Sequence, residues 1–212
     1  MADILKLDPN NPEQSLIDRA VKILREGGVI AYPTETFYGI GADAENEEAI
    51  EKIYMIKGRS FNKPVPVIIG KQNDVIKYAK DIPETGRRLM DRFWPGALTL
   101  LFEASHHVPQ KLTAGTGKIG IRLSSNIIAI NLAKTLSRAI TTTSANLSGE
   151  KECSSVDDVI DSLGDRVDAI INGGRTPGGP GSTIVDVTID PPVIIREGVI
   201  PSSLIFNILQ KT

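Results

Sequence analysis

The chain has 212 residues, 41% of them hydrophobic, and a formal net charge of −2. That length can bury one sizeable core, and the near-neutral charge excludes a global basic field for nucleic acid, although a local patch is still allowed. The lone cysteine, Cys153, excludes an internal disulfide and a thiol-rich metal site, and reads as a free surface thiol.

The first residues, MADILKLDPNN, contain no apolar signal core. No apolar run reaches the roughly 20 residues of a membrane helix, so a reducing cytoplasm and no membrane contact are expected. Asn11 can cap a first helix, with Pro12 at its first position and Gly27 near its end. Leu16, Ile17, Ala20, Val21 and Leu24 fall on one face of it. Residues 29–32 read as a short strand. Asn46 opens a second helix carrying Ala49, Ile50 and Ile53. Residues 65–69 look like a strand, at an edge or a bulge because of Pro66. A helix over 83–93 stops at Trp94-Pro95-Gly96. Strands follow at 97–102 and 119–123, a helix at 126–137 and a strand at 139–143. The remaining elements are a helix at 155–163, strands at 167–171, 183–187 and 193–196, and a helix at 201–210.

This alternation predicts an α/β (α+β) fold: a twisted, open, mixed sheet with helices on both faces. No linker or repeat is visible, so 1–212 reads as a single domain. The Gly-rich stretch 173–181 lies between two strands and reads as a loop.

Five polar segments could carry chemistry. PTETFYGIG (33–41) follows a strand, and its glycines and hydroxyls suit close approach of a ligand; the plain alternative is an ordinary connecting loop. It lacks the Gly-Lys-Ser/Thr ending of a Walker phosphate loop. KGRSFNKP (57–64) ends a helix, where cations are favoured in any case. Its turn could instead aim Lys57, Arg59 and Lys63 at one polyanion. GTGKIGIR (115–122) delivers Arg122 to a strand end, as an anion ligand or as an ion-pair partner. TTTSANLSG (141–149) runs a hydroxyl-rich strand into a turn, offering donors to a ligand or capping its own backbone. PGSTIVD (180–186), followed by Arg196, repeats the theme. Histidines 106 and 107 lack the spacing and the partners of a metal site. Phe93-Trp94 reads as core packing.

In this order, PTETFYGIG, KGRSFNKP, GIRLSSN, TTTSANLSG and GSTIVD resemble the YrdC/YciO family over about residues 17–199. The Lys57/Arg59 and Ser144/Asn146 pairs look like the K-x-R and S-x-N pairs of its active synthases. The resemblance implies a concave, electropositive cleft. It also implies formation of threonylcarbamoyl-AMP and pyrophosphate from L-threonine, bicarbonate and ATP. A downstream tRNA threonylcarbamoyl transferase would use the product on the adenosine beside the anticodon, and weak binding of tRNA or double-stranded RNA is possible.

Residue by residue, it implies that Thr34, Arg122, Thr142 and Ser182 hold threonine. Arg59, Lys63, Lys118, Ser144, Asn146 and Arg196 would hold ATP. Lys57, with Arg59, would be catalytic. ATP should bring Mg²⁺ with it, and no tightly bound metal or organic cofactor is expected. Two departures stand out. Ile68 occupies the place of a family histidine, and 150–153 reads Glu-Lys-Glu-Cys where many members have proline and serine. The chain also stops short of the C-terminal domain of larger relatives, which suggests a minimal form. Three alternatives are a non-catalytic module for double-stranded RNA or tRNA, a hydrogenase-maturation type of carbamoyl-adenylate domain, and a structural protein. The second normally comes with many cysteines, and the third leaves five polar segments without a purpose.

Overall fold

The computed structural model describes residues 2–58 and 60–210. In chain order the elements are β1 (Asp3–Lys6), α1 (Gln14–Arg25), β2 (Ile30–Pro33), β3 (Tyr38–Gly41), α2 (Glu47–Lys57), β4 (Val67–Ile68), α3 (Val75–Tyr78) and α4 (Glu84–Phe93). Then come β5 (Leu98–Glu103), α5 (Gln110–Thr113), β6 (Lys118–Arg122), α6 (Ile127–Leu136), β7 (Ile140–Thr141), β8 (Thr143–Ser144), α7 (Val156–Leu163), β9 (Ala169–Asn172), β10 (Thr183–Asp186), β11 (Val193–Arg196) and α8 (Ser202–Leu209).

The expected mixed α/β architecture is present, with its strands divided between two sheets. One has the order β1-β9-β2-β3-β8 and the other β11-β10-β5-β6-β4-β7, and both mix parallel with antiparallel pairs. Alternation along the strands explains why the first sheet carries helices on both faces. Ile30, Tyr32, Ala169 and Ile171 pack with α1 and α6, whereas Ala31, Tyr38, Ile40 and Ile170 pack with α2 and α7. Each fully buried isoleucine among them contributes roughly 1.5–3 kcal/mol.

The second sheet is asymmetric. Leu98, Leu100, Phe102, Ile119, Ile121 and Val185 face a core that also takes Leu89 and Met90 of α4 and Ile205 of α8. The opposite face carries Thr99, Arg122 and Ile184, which are turned to an open cleft. Two glycines make the local geometry possible. Gly58 ends α2 at φ 58°, in the left-handed region that side chains avoid. A Cβ on Gly198 would lie 2.4 Å from the Ser182 carbonyl carbon, so only glycine lets the segment after β11 close onto β10.

Local signals placed several elements. Asn46 and Asn126 cap α2 and α6 through their side-chain oxygens, and Ser155 with Asp158 forms a capping box on α7. Trp94 packs in the core, with its indole N–H donating to the Leu98 carbonyl at 2.8 Å.

Other expectations need correction. Helix α1 begins at Gln14, with Glu13 at its cap instead of Asn11. PTETFYGIG is a β-hairpin, because Tyr38–Gly41 pairs with β2. The strand at 67–68 is interior, between β6 and β7, and Pro66 precedes it. The expected strand over 139–143 breaks at Thr142: β7 pairs in one sheet and β8 in the other.

Cys153 is buried, not a surface thiol, and its S–H donates to the Ala145 carbonyl at 2.8 Å. Burial, aided by Asp158, pushes its pKa up to about 11. The thiolate fraction at pH 8 is therefore very small, and the thiol is shielded. Iodoacetamide at pH 8 should leave the native protein unlabelled and alkylate it quickly in denaturant. Rapid native labelling, followed by mass spectrometry, would contradict this burial.

Candidate active site

The cleft encloses about 490 Å³, within the usual range for a small-molecule site. Its walls come from the β2–β3 hairpin, the end of α2, the β7–β8 crossing, the loop after β8 and the open face of the second sheet. Because the chain changes sheets at Thr142, Thr142 and Ser144 are both delivered to the boundary between the sheets.

At one end, Lys57 is 4% exposed. Its ammonium donates to the Ser144 carbonyl at 2.5 Å and the Asn146 carbonyl at 2.8 Å, with the side-chain oxygens of both residues at 3.4 Å. The two short motifs are therefore joined in space although they lie 87 and 89 positions apart. Asn146 also donates from its amide to the Glu150 carbonyl at 2.7 Å. The ammonium thus fixes the backbone of the crossing as well as bringing charge to the cleft. Lys63 lines the rim, and its carbonyl lies 2.8 Å from the Tyr54 hydroxyl, which ties the basic turn to α2. Arg59 lies outside the described residues.

At the other end, Arg122 is 4% exposed. Its Nη2 donates to Thr142 Oγ1 at 3.3 Å, and its Nη1 lies 3.2 Å from Glu35 Oε1. The Glu35 contact is an ion pair without hydrogen-bond alignment, since Glu35 Oε1 and Arg122 Nε are both buried without a hydrogen-bond partner. Asp186 is not the arginine's partner; it binds Lys118 at 2.7 Å. Burial alone would raise the Asp186 pKa, but the bonds from Lys118 and Thr188 outweigh it and hold the carboxyl below its ordinary value.

Arg196 faces the same space, donating to the Ser182 carbonyl at 2.8 and 3.1 Å and to its hydroxyl at 3.1 Å. Desolvation, and then the charge of Arg122, lower its pKa. Two guanidinium groups that repel each other across a cleft make a site for an anion. Thr34 closes its own hairpin, donating to the Phe37 carbonyl at 2.7 Å with the Thr36 hydroxyl at 3.2 Å.

Of the expected site residues, Thr34, Lys57, Lys63, Arg122, Thr142, Ser144, Asn146, Ser182 and Arg196 line one cleft. Lys118 is not among the lining residues and is engaged by Asp186. Ile68 is fully buried in β4 against α6, so this position presents nothing to the cleft. From the divergent loop, Glu150 and Glu152 line the cleft while Cys153 turns inward. Sequence reasoning misses Thr99 and gives Glu35 no role, while Thr36 is covered only as one of the hydroxyls of 33–41. Thr99 Oγ1 lies 3.0 Å from Ser182 Oγ, extending the row of hydroxyls. The Thr34-Glu35-Thr36 alternation was the available signal for a residue on the back of the wall. Among the described residues no group of three or more His, Cys, Asp or Glu side chains could hold a metal ion. Among them, too, no helix is long and apolar enough to cross a membrane.

The fold and site define an α/β protein whose cleft is lined by hydroxyls and by the buried cations Lys57 and Arg122. The Sua5/YciO/YrdC family model, described as "Telomere recombination", matches residues 22–198, and the chain belongs to this family. A threonylcarbamoyl-AMP synthase from Pyrococcus abyssi is 37% identical over 199 residues, 94% of this chain and 58% of that protein. The chain therefore spans little more than half the length of this curated relative. The crystal structure of P. abyssi Sua5 complexed with L-threonine matches with a TM-score of 0.94 and 36% identity, over 98% of this chain and 61% of that one. E. coli YciO matches with a TM-score of 0.87 and 33% identity, over 94% and 97%.

Proposed function

We propose that this chain is a threonylcarbamoyl-AMP synthase, using L-threonine, bicarbonate and ATP and releasing pyrophosphate. The observation that carries the reading is the convergence of two unlike ends in one cleft: Lys57 with Ser144 and Asn146, and Arg122 among hydroxyls. The relative named for this activity and the threonine complex of a similar protein support it.

In this reading Arg122 takes the carboxylate of threonine, and Thr34, Thr142 and Ser182 surround its side chain. Hydroxyls reject valine better than an apolar pocket could, because valine would leave them without partners. The amine of threonine attacks bicarbonate carbon and loses water, giving a carbamate. A carbamate oxygen then attacks the α-phosphorus in line, a new P–O bond forms, and pyrophosphate leaves with the electrons of the broken bond. Such a transfer is accelerated mainly by positioning and by cations around the phosphates. Lys57, Arg59, Lys63 and Arg196 supply the charge, with Ser144 and Asn146 beside Lys57, and Lys118 adds to it only if it leaves Asp186. Mg²⁺ enters with ATP, held mainly by phosphate oxygens and water.

We read the chain as one catalytic unit working in the cytoplasm. Its product passes to a transferase that modifies tRNA. Purified protein given ATP and bicarbonate should release pyrophosphate when threonine is added, and much less with serine or valine. Release that ignores threonine or bicarbonate would refute the reading.

A further inference from the structure

We propose that Glu35 is a positioning residue that sets the orientation of Arg122, and through it the affinity for the amino-acid substrate. The inference rests on the reading of Arg122 as the carboxylate ligand.

The hairpin turn alternates its side chains. Thr34 and Thr36 line the cleft, and Glu35 between them does not. It lies behind the wall, with its side chain 13% exposed and Oε1 3.2 Å from Arg122 Nη1. Its Oε2 accepts from the Ser124 hydroxyl, and the same hydroxyl oxygen accepts from the Asn126 backbone N–H at 3.1 Å. Asn126 in turn caps α6. The carboxylate is thus anchored on the start of a helix and meets the guanidinium from a position that does not line the cleft.

Arg122 needs such an anchor. Its described hydrogen bond is one long contact to Thr142, and Arg196 repels it across the cleft. Without a counter-charge behind it, a buried guanidinium would turn toward water and lose its aim. Fixing a binding group beforehand improves affinity by reducing what must be ordered on binding. Charge points the same way: Glu35 is the carboxylate beside Arg122, and it offsets the repulsion from Arg196. The buried Glu35 Oε1 and Arg122 Nε, both lacking hydrogen bonds, show that the pair is not self-satisfied. Such a pair serves orientation better than it serves stability.

The test compares wild type, Glu35→Gln and Glu35→Asp by calorimetric titration with threonine and, separately, ATP, alongside melting curves. Glu35→Gln should weaken threonine binding about tenfold, as expected when a ligand-binding group is misplaced, and change ATP binding less than about twofold. Glu35→Asp keeps the charge and should recover part of the threonine affinity. If Glu35→Gln does not fold, Ser124→Ala, which frees one end of the carboxylate, should shift threonine affinity the same way by a smaller factor. Unchanged or tighter threonine binding in Glu35→Gln would overturn the inference. So would equal weakening of threonine and ATP together with a lowered melting temperature, which is the signature of a purely structural pair. Wild type that binds threonine but releases no pyrophosphate would refute the synthase reading while leaving this comparison valid. Wild type that binds no threonine would overturn both.

Discussion

Lys57→Ala is expected to cost both turnover and stability. The sequence places Lys57 in a basic turn at a helix end, where cations are usually solvated; in the structure the ammonium is buried and held by the Ser144 and Asn146 carbonyls. A hydrogen bond to a charged group contributes about 1.5–3 kcal/mol, and stranding buried carbonyls costs a similar amount. In a domain of this size 1 kcal/mol moves Tm by about 2–4 °C, so a fall on the order of 6–24 °C is expected. Turnover should drop by roughly a hundredfold or more, the typical loss when a preorganised group facing developing charge is removed. Lys57→Arg separates the two effects. It keeps the charge and can still donate to carbonyls, but its planar fork does not copy a compact ammonium. It should recover more stability than turnover. Melting curves and pyrophosphate release on the same samples decide the matter: unchanged Tm with near-normal turnover would show that Lys57 is neither strut nor catalyst.

The contrast between the two readings of Lys57 shows where sequence reasoning stops. Asn46, Gly58 and the Ser155–Asp158 box announce helix ends through contacts a few residues apart, and those ends were legible. The basic turn and the hydroxyl-rich strand were also visible as chemistry. That Lys57 spends its donors on residues 144 and 146 was not, because contacts spanning 87 and 89 positions leave no local trace.

The break at Thr142 was hidden for a related reason. Ile-Thr-Thr-Thr-Ser has uniform β-propensity, and only the presence of two sheets makes the chain leave one for the other at that residue. Strand β3 reads as loop in the sequence because four residues with two glycines carry little strand signal; its pairing with β2 and β8 defines it. Glu35 sat unremarked inside a recognised motif. Its role depends on which side of a hairpin it occupies and on an arginine from another sheet.

Arg122→Lys should raise the threonine KM on the order of tenfold to hundredfold and disturb ATP affinity much less. Arg122 ends β6, whose apolar residues Ile119 and Ile121 are buried on the core side, so the strand fixes where the side chain starts. Thr142 and Glu35 fix where it finishes. A guanidinium held this way can grip a carboxylate through two parallel hydrogen bonds, which an ammonium cannot reproduce. Losing one charge-assisted bond costs about 1.5–3 kcal/mol, which sets the expected range. The competing role is purely structural. The carboxylate that Arg122 meets is Glu35, while Asp186, in the same sheet as Arg122, belongs to Lys118. Lysine would preserve a charge beside Glu35, so a purely structural arginine predicts a modest fall in Tm and an unchanged threonine KM. A substrate role predicts the reverse weighting, with a large change in threonine KM at nearly constant ATP KM. Steady-state kinetics in each substrate, with a melting curve from the same preparation, separate the two, and a lowered Tm with unaltered threonine KM would remove Arg122 from the substrate site.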